Sequence, residues 1–447
     1  MKLWLANKWD GLRNSFWFLP TLMVSAAIIL SLAMIQLDKA TTDNWVALLG
    51  WTYSRGPEGS RALLSTVAAS MMTIASVTFS ITIVALQLAS SQFGPRLLRN
   101  FMRDRGNQVA IGTFIATFTY CLLALRTVNG TENEQFVPHI SVTVGLVLTM
   151  ASVGVLIYFI HHSAESIQAE NVIAAVSREL HQAIERLYPE SLGREPSKQQ
   201  AESGRAKLPE AFERDAHRIA SPRSGYLQAI DVDRIINLAK DLDVVLLIEQ
   251  RPGKFCFKGD DLLRFWPHDR CSDDVMKKIR GSFYFGSRRT LAQDIEFAID
   301  QLVEVSVRAL SPGVNDPFTA INCVDRLGTA LCTLTERKIP SRFRYDDQGM
   351  LRVVTEVSTI PGIVNAAFDQ IRQAARHDTA VTLRILESIA AVARHTRDAE
   401  FHTALRRQAE AVHRGSREGL KDPIDREEAD QRFQYVIDSL DRVSSTS

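Results

Sequence analysis

Thr66, Ser70, Thr73, Val77, Ser80, Val84, Gln87 and Ser91 recur at three- and four-residue steps through a stretch that holds no charge before Arg96. At about 100° per residue they fall within about 100° of one another on a helix, and Ala68, Ile74, Ile81, Ala85 and Leu88 take the opposite face. Lipid offers such a stripe no hydrogen-bond partner, so it must face protein or water. One chemistry is packing, in which small hydroxyl residues let helices approach and each interhelical bond contributes about 0.6–2 kcal/mol. The other is a pore, with copies of the stripe lining water and Val77 and Val84 forming a constriction that gates by dewetting. Both remain open at this stage.

Four basic residues follow at once: Arg96, Arg99, Arg103 and Arg105. They fit contact with anionic lipid head groups, at about 1 kcal/mol per basic residue, or a basic mouth that concentrates anions. Coupled carriers usually bury an ionisable group within a span. Phe16 to Leu37, Leu63 to Ala89, Val109 to Leu125 and Ile140 to Ile160 contain none, which disfavours a coupled carrier and leaves a passive pore.

Other chemistry is sparse. His161, His162 and Glu165 share a helical region, but consecutive histidines point about 100° apart, so they read as an interfacial cluster and not a metal site. Asn315 and Asp316 sit in the turn "SPGVNDP", where a helix cap is favoured over a ligand site. There is no P-loop, HExxH or GxSxG. Neither enzymatic activity, a cofactor nor a metal is therefore expected. Five cysteines without a CxxC pair read as reduced structural thiols; the net charge of +1 argues neither for nor against nucleic acid, and no nucleic-acid partner is expected.

The four uncharged runs are the elements that must position these residues. A span needs about 20 apolar residues, which the third run approaches and the others exceed. Basic residues Lys2, Lys8 and Arg13 before the first run, and the four arginines after the second, place both termini in the cytoplasm. "NWVALLGWTY" between the first two runs reads as a short interfacial helix. Beyond the fourth, Ile173, Val176, Leu180, Ala183 and Leu187 form a coiled-coil-like seam, and an unbroken helix from Ile140 to Tyr188 would reach roughly 70 Å.

After a polar linker, "SGYLQAI", "DVVLLIEQ" and "RPGKFCFKGDDLLRFW" read as strands of a small β-barrel-like module, and "RYDDQGMLRVV" as a hairpin among helices. The expected fold is an α-helical integral membrane protein: four transmembrane helices in 1–162, a helical extension and linker in 163–210, a β-rich module in 211–270 and a mainly helical cytoplasmic domain in 271–447.

The combination of "FSITIVALQLASSQFGPRLLRNF", "SGYLQAID" and "LVEVSVRALSPGVNDPFTA" resembles a bacterial family of predicted membrane proteins, domain of unknown function 2254. The resemblance implies four membrane helices followed by a cytoplasmic region, and it brings no catalytic residues. Two functions follow from the residues. One is a homo-oligomeric ion channel or passive pore of the inner membrane with a cytoplasmic regulatory region. The other is a non-conducting scaffold or sensor whose cytoplasmic part binds a ligand or protein.

Overall fold

The computed structural model describes residues 16–40, 56–94, 104–131, 134–188, 208 and 211–444, which divide into two units, Met1–Val172 and Ile173–Ser447. Four helices of the first unit are long and apolar enough to cross a membrane: α1 (Phe18–Ala40), α2 (Pro57–Phe93), α3 (Arg105–Thr127) and α4 (His139–Ser166). A short antiparallel ribbon, β1 (Asn129–Thr131) and β2 (Glu134–Phe136), joins the last two. The interfacial-helix expectation for residues 44–53 lies outside the described residues.

Helix α3 is the centre of this unit. Half of its apolar window is buried against 22% for each of the other three, because it packs on all of them. Gly112 makes the closest approach possible, since a Cβ there would fall 2.6 Å from Met23 Sδ and 3.2 Å from Pro20 Cα of α1. Polar atoms on the buried faces pair between helices: Thr117 Oγ1 lies 3.0 Å from Ser152 Oγ, and the Tyr120 hydroxyl donates to the Ser141 carbonyl at 3.0 Å.

Two carboxylates close the helix ends. Asp38 accepts from the N–H groups of Ile140 and Ser141 at 2.8 and 2.9 Å, tying the end of α1 to the start of α4. Asp104 accepts from the Gly106 N–H at 2.7 Å and holds His162 Nε2 at 2.8 Å, tying the start of α3 to the end of α4. Each satisfies amides that a helix start leaves unpaired and places negative charge at the positive end of the dipole.

The expected continuous helix from Ile140 to Tyr188 is interrupted. Helix α4 ends at Ser166 and α5 (Ala169–Leu187) begins after a break at Ile167–Gln168. The Asn171 side-chain amide donates to the Glu165 carbonyl at 2.8 Å, a local bond that competes with the helical ladder. The seam on α5 is real but does not form a coiled coil. Leu180 and Ile184 pack against Ile295, Leu327, Leu331 and Ile363 in the core of the second unit.

The second unit continues with α6 (Phe212–Asp215), β3 (His217–Ala220), β4 (Gly225–Ile230), α7 (Val232–Asp241), β5 (Val245–Ile248), β6 (Phe255–Cys256), β7 (Asp261–Trp266), α8 (Asp273–Arg280) and β8 (Phe283–Gly286). Then come α9 (Ile295–Ala309), α10 (Pro317–Thr335), β9 (Phe343–Tyr345), β10 (Leu351–Val354), α11 (Ile360–Ala374), α12 (Thr379–His395), α13 (Ala399–Gly419) and α14 (Pro423–Ser444). The strands do not close into the barrel that local alternation suggested. They form two open sheets, ordered β3-β7-β5-β10-β9 and β6-β4-β8. Strand β10 returns after the α8–α10 excursion and pairs parallel with β5, where Val353 faces Leu246. Leu246, Leu263, Phe265, Ile235, Ile279 and Val353 are fully buried between the sheets and helices α7 and α8.

Sheets and helices are joined by buried ion pairs and an amide clasp. Gln293 donates to the Ile230 carbonyl and accepts from the Ile230 N–H, at 3.0 and 2.9 Å. Arg289 holds Asp294, the cap of α9, through two bonds of 2.7 and 3.0 Å and reaches Asp300 at 2.6 Å.

Two outcomes test this account. Asp316 Oδ1 accepts from the Thr319 N–H at 3.1 Å and caps α10. Asp316→Ala should therefore lower stability by about 0.5–2 kcal/mol in thermal unfolding of the detergent-solubilised chain. The β9–β10 turn supplies the second. Asp346 accepts from the N–H groups of Gln348 and Met350 at 2.9 Å and from Arg352 Nε at 2.7 Å.

Burial pushes the Asp346 carboxyl up, but Arg352 and the two N–H bonds outweigh it and hold the group below the usual carboxylate range. A depressed folded pKa stabilises above the unfolded value of about 3.9, and this contribution vanishes as pH falls through the folded value. Asp346→Asn should cost about 1–3 kcal/mol near neutral pH. It should also flatten the loss of stability below about pH 4 relative to the parent chain, measured by melting across pH.

Candidate functional site

The hydroxyl-bearing helix α2 buries Leu64, Ala68, Met71, Ala75, Thr78, Thr82, Ala85 and Ala89. That face lies roughly 160° around the helix from the stripe. Thr66, Ser70, Thr73, Val77, Ser80, Val84, Gln87 and Ser91 are all exposed, pointing away from the other three helices of the chain. Val77 and Val84 are 53% and 59% exposed, so neither is a core residue of a single copy. The residues assigned to the opposite face divide: Ala68 and Ala85 are buried, Ile74 is half-buried, and Ile81 and Leu88 are exposed.

Most of the stripe hydroxyls have a local acceptor. Thr66 donates to the Ala62 carbonyl at 2.8 Å, Thr73 to Ala69 at 3.0 Å and Ser80 to Ser76 at 2.9 Å. Ser91 donates to the Leu88 carbonyl at 2.9 Å. These bonds consume the hydroxyl proton and leave oxygen lone pairs facing outward. Gln87 differs, because its amide carries two N–H donors and a carbonyl on an exposed stem.

Of the basic group, Arg96, Arg99 and Arg103 lie outside the described residues, and Arg105 is exposed at the first position of α3. His161 pairs with Glu165 at 3.2 Å, whereas His162 turns to Asp104 and stacks on Tyr158 with ring centroids 5.3 Å apart. The two histidines thus serve different partners. Asn315 adopts a left-handed φ of 50° in its turn and is exposed, while Asp316 is engaged in the cap described above.

The sequence did not suggest an open cleft of about 690 Å³ among α10, α12 and α14. Asp325 accepts two bonds from Arg384, and Glu387 bridges Arg384 at 2.9 Å and Arg432 at 3.0 Å. Arg394 donates to the Tyr435 hydroxyl at 3.1 Å. Both carboxylates are spent on arginines, so the cleft is slightly basic. Only the spacing of Arg384 and Glu387, three apart on one helix, was visible in the sequence; Asp325 lies 59 residues away.

Comparison with known proteins agrees with this architecture. The chain is 32% identical over 424 residues to an uncharacterized protein of Mycobacterium bovis, covering 93% of this chain and 79% of that protein. An uncharacterized protein of Mycobacterium tuberculosis matches to the same extent. No solved structure matches. The profile of the predicted membrane protein family DUF2254 spans residues 13–391, and with four apolar helices and relatives aligned over nearly its whole length, the chain belongs to that family.

Proposed function

We propose that this membrane protein assembles as a homo-oligomer in the bacterial inner membrane. In this reading α2 helices surround a passive, water-filled path, and the second unit is a cytoplasmic regulatory region. One observation carries the reading: the entire stripe from Thr66 to Ser91 faces away from its own bundle. Within a ring of copies that face turns toward the axis, where Gln87 and the outward hydroxyl lone pairs meet water. Among the described residues the apolar cores of the four helices hold no acid or base, and Asp38 and Asp104 sit at helix ends. That pattern supports a passive path over a proton- or ion-coupled cycle.

The back-bonded hydroxyls favour a second reading, a non-conducting scaffold or sensor. A serine or threonine that donates to its own helix is tolerable against lipid or another helix. In both readings the slightly basic cleft among α10, α12 and α14 is the place where an unidentified cytoplasmic ligand would act.

Three measurements test these readings. A reporter fused after Ser447 should be active in its cytoplasmic form; periplasmic activity would reverse the orientation. Val77→Ser should wet the constriction and raise resting conductance in a reconstituted bilayer. In a background with Cys121 replaced, cysteines at Thr73 and Ser80 should react with a water-soluble thiol reagent. A silent bilayer together with unreactive cysteines leaves the scaffold.

A further inference from the structure

Strand β6 lies within the run Lys254-Phe255-Cys256-Phe257-Lys258, bracketed by Gly253 and Gly259 at φ of 94° and 98°. Both glycines occupy backbone that side chains rarely adopt, so the run enters and leaves through fixed bends. Gly253 is constrained twice, since a Cβ there would fall 2.2 Å from Asp294 Oδ2. The backbone is also tied down. The N–H of Phe257 donates to Asp260 Oδ2 at 2.8 Å, that of Lys258 to Ser224 Oγ at 2.9 Å and that of Gly259 to the Ser221 carbonyl at 3.0 Å.

Strand alternation then sorts the side chains. Cys256 is fully buried in the sheet core, while Phe255 and Phe257 project outward at 45% and 63% exposure. Their rings meet edge to face at 5.1 Å, and Phe255 meets Tyr226 of β4 in the same manner at 5.1 Å. Lys254 and Lys258 flank these rings and are exposed, whereas the Arg223 guanidinium is held over the Phe285 ring of β8 and donates to its carbonyl. The nearby acid, Asp260, is half-buried and engaged with the Phe257 N–H.

Two adjacent exposed rings on a constrained backbone, flanked by two lysines, make a small apolar patch with positive charge beside it. The Phe257, Lys258 and Gly259 amides are already bonded within the chain, so the patch offers hydrophobic area and positive charge more than directional recognition. Those are the two quantities that an anionic bilayer surface rewards. Aromatic rings favour the head-group region, and each lysine or arginine near anionic lipid strengthens the contact about fivefold. The chain carries its own membrane helices, so a bilayer is always close by, and a second, weak contact is strengthened by that tethering.

We propose that Phe255 and Phe257, with Lys254 and Lys258, form a docking surface by which the second unit engages the anionic lipid face of the bilayer. The inference is independent of whether the protein conducts.

The test uses the full chain reconstituted into vesicles of phosphatidylcholine, with or without phosphatidylglycerol. Each preparation carries a photoactivatable diazirine on a trace of its own lipid. Adducts on the peptide covering residues 251–260 are mapped by mass spectrometry and normalised to adducts on the four helices. Phosphatidylglycerol should raise that ratio about thirtyfold, as roughly fivefold for each of the two lysines predicts. Phe255→Ser/Phe257→Ser should abolish the signal. Lys254→Gln/Lys258→Gln, which keeps the rings, should bring the phosphatidylglycerol value close to that of phosphatidylcholine. Unchanged thermal unfolding of both variants confirms that the loss is local. Adducts confined to the four helices in both lipids would overturn the proposal, as would equal labelling of residues 251–260 with and without the anionic lipid.

Discussion

Hydrocarbon supplies neither a hydrogen-bond donor nor an acceptor, and the membrane unit is arranged around that lack. Helix α3 shows it most fully. Its threonine and tyrosine hydroxyls reach Ser152 and the Ser141 carbonyl on α4, and its first amides are closed by Asp104. The carboxylates are kept to helix ends, where backbone N–H groups and the helix dipole stabilise them. Gly112 belongs to the same logic: with little hydrophobic force to bring apolar helices together inside lipid, close contact of α3 with α1 depends on removing side-chain bulk.

The same constraint gives the outward face of α2 its meaning. Thr82, on the buried face, and Ser80, on the exposed face, both donate to a carbonyl four residues earlier. A hydroxyl alone therefore does not reveal what lies opposite, because the helix can satisfy its proton in either setting. An amide has no such refuge for all its polar atoms. Gln87, exposed near the end of the stripe, is the residue whose position argues most strongly for water or a second copy on that face.

Local chemistry made much of this legible. Uninterrupted apolar length revealed four helices, Asp316-Pro317 revealed the start of α10, and alternation with a turn revealed the β9–β10 hairpin. The stripe was readable as a period, but its direction was not, since that depends on which side of α2 meets α3. Long-range pairing was hidden for the same reason. Nothing near Leu246 announces Val353 as its parallel neighbour, so the alternating segments, whose other pairings are local, suggested a small barrel when β5 takes one partner from beyond α10. At the break, Ile167–Gln168, the Asn171 side chain bonds back to the Glu165 carbonyl, a local contact that apolar periodicity does not announce.

A mixed sheet whose strands come from distant segments needs something to fix its arrangement, and the second unit places charge pairs at the joints. Arg352 links the β9–β10 turn to Asp243 before β5, at 2.8 Å, while also holding Asp346. Arg251 joins the end of β5 to Glu296 at the start of α9 at 2.7 Å, and to Ser358 before α11 at 2.9 Å. Asp243 is exposed, but Arg251 and Glu296 are largely buried, and a pair of that kind adds little net stability over apolar contacts, because desolvation offsets most of the attraction. Their leverage is against alternatives: a misplaced α9 would strand the largely buried Arg251 or Glu296 without its partner, at about 3–5 kcal/mol. Hydrophobic burial drives these segments together, and the penalty for a stranded charge favours the placement in which α9 meets the end of β5.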